Sequence, residues 1–545
     1  MSPRNPLRYL FISSASTSVA AAAFVIGLMS VASRFLGIFR DRILASSFGA
    51  SETLDIYYAA FRLPDLVFNL LVLGALSAGF IPVFARLIKD NKNLKEAWLL
   101  ASNILNILSL GLLVVCGLGV AAASWLVDVI APGFPIEARS TIVTLTRIMF
   151  LSPIFLGLSS IVGGVLQSFN RFLVYSLSPI FYNLGIIFGA LFLVPRFGVM
   201  GLAWGVVIGS GLHFLVQIPA LLKLGFKYSF FINWRDQAMR AVYSMMTART
   251  LGLAITQINL TVITIIASGL PAGSLSVFNL ANNLQSFPVS IFGISFAIAV
   301  FPFLSSTVTD RDFINSFSRT FRQIMFFIIP STVIFIILRA QIVRVILGSG
   351  EFNWQDTTLT IDTLGFFVLS LFAQATIPLL TRGFFARHDS KTPFYIGLFS
   401  NAVNIVLALW LIKYWGVAGL ALSFSLSMIL NFLLLFFVLH HRLGSLDDKK
   451  IFVSLSKFSG AAIVMALSIQ AMKLLVWPYV DMTRLWGVLS QGALAGLFGL
   501  VVYLAICSLL KSEEFIELYR ATKIKLGVAA KKLHSEDDQG EVRGI

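Results

Sequence analysis

The segment SRFLGIFRDR, residues 33–42, concentrates charge directly after a long apolar run. In a helix, Ser33 and Arg40 would share one face, and Arg34 and Asp41 would share the neighbouring face, so the four form one polar stripe. A guanidinium group donates paired hydrogen bonds to phosphate oxygens. Because charge in hydrocarbon is costly, such a stripe is expected to face a water-filled cavity that receives a ligand. The stripe therefore predicts an anion site, with phosphate or diphosphate as the leading ligand.

The composition is that of a polytopic membrane protein. Of the 545 residues, 57% are hydrophobic and 12% are charged, whereas a soluble protein carries about 25% charged residues. A formal net charge of +16 would indicate nucleic-acid binding in a soluble chain. Here the basic residues cluster between apolar segments, where they anchor loops at an anionic leaflet. We therefore expect membrane lipids as partners and no nucleic acid.

Apolar windows long enough to cross a bilayer predict an all-α polytopic membrane protein with about fourteen transmembrane helices. Basic residues concentrate in the even-numbered connections, and the group Arg311, Arg319 and Arg322 is one example. The positive-inside rule then places both termini in the cytoplasm. The predicted spans are 17–47, 55–86, 98–124, 140–167, 173–194, 200–222, 241–268, 276–307, 321–346, 359–385, 394–413, 417–440, 453–476 and 485–510.

The first span has two possible extents. If residues 10–32 form it alone, residues 33–42 become a basic collar outside the membrane. The strictly apolar part, 19–32, would be only about 21 Å long at 1.5 Å per residue, short of the roughly 30 Å of hydrocarbon. We therefore expect one longer helix that carries the charged stripe inside the membrane. Further embedded charges are expected at Asp55 and Arg62 on span 2, Arg147 on span 4 and Arg339 on span 9.

An internal repeat divides the chain. Asn183 aligns with Asn401 and Gly198 with Gly416, at a constant offset of 218 residues. The alternative is that GVxGLA is a common turn between spans. Two repeats of six helices around a central site are a transporter layout. The predicted domains are a cytoplasmic N-terminal extension (1–16), an N-lobe (17–222), a cytoplasmic linker (223–240), a C-lobe (241–440), helices 13 and 14 (453–510) and a largely disordered cytoplasmic tail (511–545).

Enzyme function is not expected, because the sequence offers no metal-ligand pattern and the adjacent carboxylates of LDD at 446–448 lie in a loop with lysines. The five histidines make no HExxH motif. Spans 7, 11 and 12 contain no Asp or Glu, so we expect no acidic sodium site in the second lobe. Cys116 and Cys507 lie in separate apolar segments and provide no disulfide framework. We therefore predict no cofactor, no metal site and no catalytic residue. A passive scaffold would have no use for embedded arginines, and a cationic-drug exporter would favour an acidic cavity.

With these residues placed, the sequence resembles the MurJ (MviN) family of lipid II flippases, within the multidrug/oligosaccharidyl-lipid/polysaccharide exporter superfamily. The motifs that carry the resemblance are SRFLGIFRD at 33–41, LDIYYAAFRLPDL at 54–66, GALSAGFIPVFA at 74–85 and RHDSKTP at 387–393. The resemblance implies a central cationic cavity for the lipid II headgroup and a groove for the lipid tail beside the last two helices. It also implies a bacterial plasma-membrane location and a role in cell wall synthesis. The repeated architecture described above predicts transport by alternating access.

This chain matches the family motif residue by residue in the first helix and at the start of helix 2, and differs from it further along. Ser33, Arg34, Arg40 and Asp41 match the first-helix motif, and Asp55 matches the acidic position that opens helix 2. The resemblance implies that all five belong to the substrate site.

Two departures remove family arginines. An arginine pair common after LPD is replaced by Phe68 and Asn69, and a family Asp-Arg pair in helix 8 is replaced by Asn282 and Asn283. Arg62 is a partial substitute. The predicted substrate-binding residues are Ser33, Arg34, Arg40, Asp41, Asp55, Arg62, Asn69 and Asn283.

The expected substrate is the undecaprenyl-diphosphate-linked glycopeptide lipid II, and cell-wall synthesis proteins are further candidate partners. The alternative is export of another polyprenyl-diphosphate-linked glycan in the same superfamily.

Overall fold

The computed structural model of the chain describes residues 19–73, 79–89, 94–307 and 309–520. The predicted N-terminal extension (1–16) and the tail from residue 521 lie outside the described residues. The described ranges contain helices and their connections and no β-strand. Nine helices in these ranges are long and apolar enough to cross a membrane, or ten if one bent pair counts as a single span. This confirms the all-α polytopic class, and the order of helices is consistent with the fourteen predicted spans.

The chain forms two compact units. The first unit comprises Met1–Phe287, Ile346–Phe367 and Phe394–Ser427. Its core packs α8 against α10 and α1 against α8, with α4 against α7 and α2 against α6. Its helices are α1 (Val19–Phe48), α2 (Glu52–Val67), α3 (Ile81–Lys89), α4 (Leu94–Ala121), α5 (Ala123–Ile130), α6 (Ile136–Met149), α7 (Leu151–Ser168), α8 (Phe172–Phe188), α9 (Val194–Phe197), α10 (Met200–Leu215), α11 (Ile218–Lys223), α12 (Gln237–Ser268) and α13 (Ser274–Pro288).

The second unit comprises Pro288–Val345, Val368–Pro393 and Met428–Ile545. Within it α15 packs on α18 and α20, and α20 packs on α21. The remaining helices, some of which continue from one unit into the other, are α14 (Ser295–Ser306), α15 (Asp310–Ile337), α16 (Arg339–Ile346), α17 (Trp354–Val368), α18 (Leu371–Ala386), α19 (Lys391–Leu443), α20 (Asp448–Val476) and α21 (Leu485–Leu509).

Helix α1 runs unbroken from Val19 to Phe48, as the longer of the two expected extents requires. Helix α2 contains Pro64 and passes into a π-helical turn, Phe68–Leu73. Proline lacks an N–H and disturbs the regular bonding pattern of a helix, so a wider turn after it is expected. Asn69 lies in that turn.

The residues aligned by the repeat adopt matching backbone conformations. Gly198 has φ 59° and ψ −149°, and Gly416 has φ 53° and ψ −134°, a combination that only glycine adopts readily. The break at Gly416 divides α19 into two spans, as predicted. Asn183 and Asn401 each donate a side-chain hydrogen bond to the carbonyl four residues earlier, at 3.0 and 2.8 Å. A common turn would explain the glycines alone, whereas the asparagine match lies outside the turn and supports a true repeat.

Arg322, which the sequence analysis placed in a basic connection between spans, is buried in the structure. Arg322 is 7% exposed and pairs with Glu514, and with Glu513 at 3.0 Å. Residues 513–520 are helical, and Ser512 is 1% exposed. The order of the chain therefore extends past the predicted start of the tail at 511, because the carboxylates satisfy an arginine that would otherwise be buried alone.

Candidate functional site

The charged stripe of α1 is held by a set of side-chain hydrogen bonds that we call the Arg40 network: Arg40, Asp41, Asn183 and Asn283. Arg40 donates to Asp41 Oδ1 from Nε at 3.0 Å and from Nη2 at 2.8 Å. Its Nη1 donates to Asn183 Oδ1 on α8 at 3.0 Å. Asn283 on α13 donates to Asp41 Oδ2 at 2.9 Å. Three helices of the first unit therefore converge on one arginine–aspartate pair.

The local sequence explains why α8 can reach this arginine. Gly37 lies one turn before Arg40, and a side chain there would come within contact range of Asn183 Oδ1, at 4.0 Å from its Cβ. Asn183 is fixed in turn by its bond to Pro179 O. The oriented asparagine on α8 thus sets the position of the guanidinium, with open space beside Gly37.

Arg40 also borders a cavity of about 300 Å³ within the first unit. Its wall mixes polar and apolar groups, with Asp65, Tyr182 and His213 as the other polar members that matter chemically. The side chain of Arg40 is 22% exposed, while that of Asp41 is 6% exposed. The guanidinium is therefore reachable from the cavity, and its carboxylate partner is not.

A serine–histidine pair beside the cavity resembles catalytic machinery in spacing only. Ser159 Oγ lies 2.6 Å from His213 Nδ1 and also receives a hydrogen bond from Gln217 Nε2 at 2.5 Å. Ser159 and Gln217 are both fully buried. Because no substrate atom reaches a fully buried hydroxyl, the pair serves to fix the His213 ring at the cavity wall.

Asp55 lies apart from the Arg40 network and is 4% exposed. Its carboxylate accepts hydrogen bonds from Gly273 N at 2.7 Å, Ser276 N at 2.6 Å and Ser276 Oγ at 2.5 Å. These donors belong to the first turn of α13 and the residue before it. An acidic group at a helix N-terminus stabilises the unpaired N–H groups there. In this structure Asp55 therefore fixes the start of the helix that carries Asn283.

Asn69 and Arg62 lie on either side of Asp65. Asn69 Nδ2 donates to Asp65 O at 2.8 Å and to Asp65 Oδ1 at 2.9 Å. Arg62 is half-buried, and its Nε is buried with no hydrogen-bond partner among the described residues. Asn69, which replaces a family arginine after LPD, and Arg62, its expected substitute, therefore both lie beside the Asp65 carboxylate.

Ser33 and Arg34 lie on α1 and are half-buried. Within the described ranges neither side chain makes a hydrogen bond or ion pair, so the Arg34 guanidinium keeps its donors available to a ligand. Arg42, at the far end of the stripe, donates to Ile346 O at 3.3 Å.

The other embedded arginines do not join the network. Arg147 is exposed and donates to Val120 O and Ser124 Oγ at 3.3 and 3.4 Å. Arg339, in the second unit, donates to Ile336 O at 3.2 Å.

Four residues of the site were not among the predicted ones: Asn183, Asp65, Tyr182 and His213. Asn183 was visible as a repeat-aligned asparagine, and Asp65 lies in the LPD motif, so both had a signal. Tyr182 and His213 had none, because their place at the cavity depends on how α8 and α10 pack. Within the described part of the chain, no group of three or more His, Cys, Asp or Glu side chains could hold a metal ion.

Comparison with known proteins identifies the family. The model of the family described as "Lipid II flippase MurJ" matches residues 44–490. A probable lipid II flippase MurJ of Vibrio cholerae is 30% identical over 92% of this chain and 98% of its own length. The lipid II flippase MurJ of Burkholderia cenocepacia is 30% identical over 77% of this chain and 84% of its own length.

Solved structures agree in fold. A lipid II flippase MurJ in an inward closed conformation superposes with a TM-score of 0.73 at 25% identity, covering 89% of this chain and 98% of that one. An inward-facing multidrug-resistance MATE family transporter of the MOP superfamily has a TM-score of 0.62 at 14% identity, covering 77% and 99%, which shows a shared fold alone. With a family match across most of its length and relatives matched nearly end to end, the chain is a multi-pass membrane protein that belongs to the lipid II flippase MurJ family.

Proposed function

We propose that this chain moves lipid II from the inner to the outer leaflet of the bacterial plasma membrane, for cell wall synthesis. Family membership supports this substrate, and one observation carries the mechanism. Arg40 on α1 is held by Asp41 and Asn183 and borders a cavity. A partly exposed arginine with a carboxylate partner is stable without ligand and still presents charge to an incoming anion.

The diphosphate is proposed to bind Arg34 and Arg40. Arg34 has unused donors, and the two terminal nitrogens of Arg40 each keep one N–H beyond their bonds to Asp41 and Asn183. Two guanidinium groups with free donors favour a diphosphate over a neutral ligand, because hydrogen bonds between charged groups are about twice as strong as those between neutral groups. Ser33, Arg62, Asn69 and Asn283 complete the proposed site, and Asp55 supports it by holding α13.

Transport is proposed to proceed by alternating access, in which the N-lobe and C-lobe rock around the site. The distribution of basic loops supports cytoplasmic termini, and the two helices outside the repeat support a groove for the lipid tail. We assign no chemical step to the chain, since a flippase needs none. Membrane lipids and cell-wall synthesis proteins are the proposed partners.

The test is rescue of cells depleted of their own lipid II flippase by Arg34→Ala and Arg40→Ala at matched membrane expression. Each charged contact contributes about 1.5–3 kcal/mol, so losing one weakens binding at least about tenfold. We expect both variants to fail. Arg147→Ala removes an equally embedded but exposed arginine outside the network and should rescue. Rescue by Arg34→Ala and Arg40→Ala at wild-type level would show that the stripe does not bind substrate.

Export of another polyprenyl-diphosphate-linked glycan is the second candidate. The observation that favours it is that Asn69 and Asn283, at positions where family arginines are expected, face carboxylates. Purified protein in vesicles separates the two candidates. Flipping of lipid II supports the first, and flipping of only a polyprenyl diphosphate with a different glycan supports the second.

Accessibility of Ser33→Cys tests alternating access, in a background where Cys116 and Cys507 are replaced by Ala. Both native cysteines are buried, so the replacements remove background labelling. An impermeant thiol reagent should label the new cysteine from each side of the membrane. Lipid II should change the ratio of cytoplasmic to external labelling. Labelling from one side only, unaltered by lipid II, would contradict the mechanism.

A further inference from the structure

A second cavity of the first unit lies away from the Arg40 network. It measures about 450 Å³ and is lined by residues of α4, α7, α10 and α11 together with the connection after α11. We call that connection, residues 226–233, the strap, and the cavity the strap groove. The strap has no regular secondary structure. A cavity larger than the one at Arg40 is therefore built partly from a segment that the sequence analysis treated only as a linker.

The strap is fixed to α4 by a ladder of side-chain hydrogen bonds. Asn103 exchanges two bonds with the backbone of Asn233, at 2.9 and 2.8 Å. Asn106 Nδ2 donates to the carbonyls of Ser229 and Phe231, both at 3.1 Å. Ser102 also accepts a hydrogen bond from Ser229 N at 3.2 Å, so three buried polar side chains of α4 bind the strap. These bonds hold the strap in place as one wall of the groove.

The polar atoms that line the groove already have partners. Tyr228 donates its hydroxyl to Asn106 Oδ1 at 2.7 Å, and Ser109 donates to Leu105 O at 2.5 Å. The remaining lining consists of aliphatic and aromatic side chains, among them Leu110, Leu113 and Phe230. Because the hydroxyl donors are used and the rest of the lining is apolar, the groove binds mainly by apolar contact. A hydrocarbon chain fits that requirement.

The charges at the rim of the groove indicate which headgroup the lipid carries. Lys223 ends α11, Lys227 lies between two groove-lining strap residues, and Arg235 follows the strap. All three are exposed. The first acidic residue after them, Asp236, is engaged in capping α12 through Met239 N at 3.3 Å. The groove therefore has an apolar interior and a cationic rim, which complements a lipid with an anionic headgroup.

Aromatic residues at the same rim fit an interfacial position. Phe230 and Trp234 are 81% and 52% exposed, although both are large and apolar. Aromatic side chains of this kind favour the boundary between hydrocarbon and headgroups. The predicted topology places this boundary on the cytoplasmic side, whose leaflet is negatively charged.

We propose that the strap groove holds an acyl chain of an anionic phospholipid of the inner leaflet, with the headgroup phosphate at Lys223 and Lys227. This site is independent of the proposed lipid II site. It would tie the strap to the membrane and make the connection between α11 and α12 sensitive to lipid composition.

The test uses delipidated full-length protein titrated with phosphatidylglycerol or phosphatidylethanolamine of identical acyl chains, with bound lipid counted by native mass spectrometry. The tightest site should prefer phosphatidylglycerol. Lys223→Gln with Lys227→Gln should weaken it at least about fivefold, since one basic residue near an anionic surface contributes on that scale. Leu113→Trp, which fills the groove from a half-exposed position, should abolish it.

Matched controls separate the groove from general effects. Lys449→Gln with Lys450→Gln removes two exposed lysines elsewhere, and Leu467→Trp adds the same bulk at a side chain 67% exposed on α20. Both should leave the tightest site unchanged. Equal binding of the two phospholipids, an unaltered site in Leu113→Trp, or displacement of bound lipid by undecaprenyl phosphate at equimolar concentration would each overturn the proposal. The last result would assign the groove to a prenyl tail instead.

Discussion

Asn283 donates its side-chain amide to Asp41 Oδ2 at 2.9 Å, and Asp41 Oδ1 receives Arg40. A single carboxylate thereby links α13 to α1 and orients the arginine that borders the cavity. Since Asp41 is 4% exposed, it depends on these donors and gains little from water. Asn283 is therefore a structural partner of the Arg40–Asp41 ion pair.

Replacing Asn283 should disturb the pair in a graded way. Asn283→Ala leaves one oxygen of Asp41 without a donor and should cost about 1–3 kcal/mol. Asn283→Asp places a second carboxylate against Asp41 and should cost more. Thermal unfolding in detergent checks the order. Asn279→Ala is the control, because Asn279 donates only to Leu275 O in its own helix. Equal melting temperatures for all three variants would show that Asn283 does not support Asp41.

Replacing Asp55 is expected to lower the stability of the protein more than its affinity for substrate. Asp55→Asn keeps the shape but removes the charge and an acceptor site, so we expect α13 to lose about 0.5–2 kcal/mol, the usual value of a helix cap. Melting temperature and lipid II affinity are measured together on the purified variant. A fall in affinity with an unchanged melting temperature would contradict this assignment and make Asp55 a ligand of the substrate.

The two repeat glycines should be sensitive to alanine for a backbone reason alone. At Gly198 and Gly416 nothing lies within 4 Å of the position that an alanine Cβ would occupy, and φ is 59° and 53°. An alanine there is strained without being crowded, and we expect each replacement to cost about 1–3 kcal/mol.

Gly211→Ala is the matched control, since Gly211 is helical and likewise has nothing within 4 Å. Alanine should be neutral there or stabilise by up to about 1 kcal/mol. Unfolding measurements that rank Gly211→Ala with the other two would remove the backbone explanation.

Two adjacent glutamates that pair with Arg322 should differ in their contribution. The Glu514 side chain is 4% exposed and the Glu513 side chain is 67% exposed, while that of Arg322 is 9% exposed. Glu514→Gln leaves a buried arginine without its buried partner and should cost about 3 kcal/mol. Glu513→Gln removes an exposed partner and should cost at most about 1 kcal/mol.

Limited proteolysis and thermal unfolding of the two glutamate variants provide the comparison, each variant serving as the control for the other. Indistinguishable stability would show that the segment 513–520 is not held by Arg322.

The sequence by itself determined the class of protein, the extent of the first helix and the repeat. These follow from local quantities: the apolar length needed to span a bilayer, the spacing of charges on a helix, and glycines that break two equivalent helices at Gly198 and Gly416. The anion chemistry of Arg34 and Arg40 was readable for the same reason, because it depends on residue type. Their role as the substrate site stays a prediction until it is measured.

Only the tertiary structure decided which partners these residues have. Asn183 and Asn283 reach the Arg40–Asp41 pair from helices that lie 143 and 242 residues away along the chain. Asp55 faces the start of α13, and Arg322 lies against Glu514. No local pattern encodes such contacts, because they arise from how helices pack, where a shift of one turn would leave a buried charge alone.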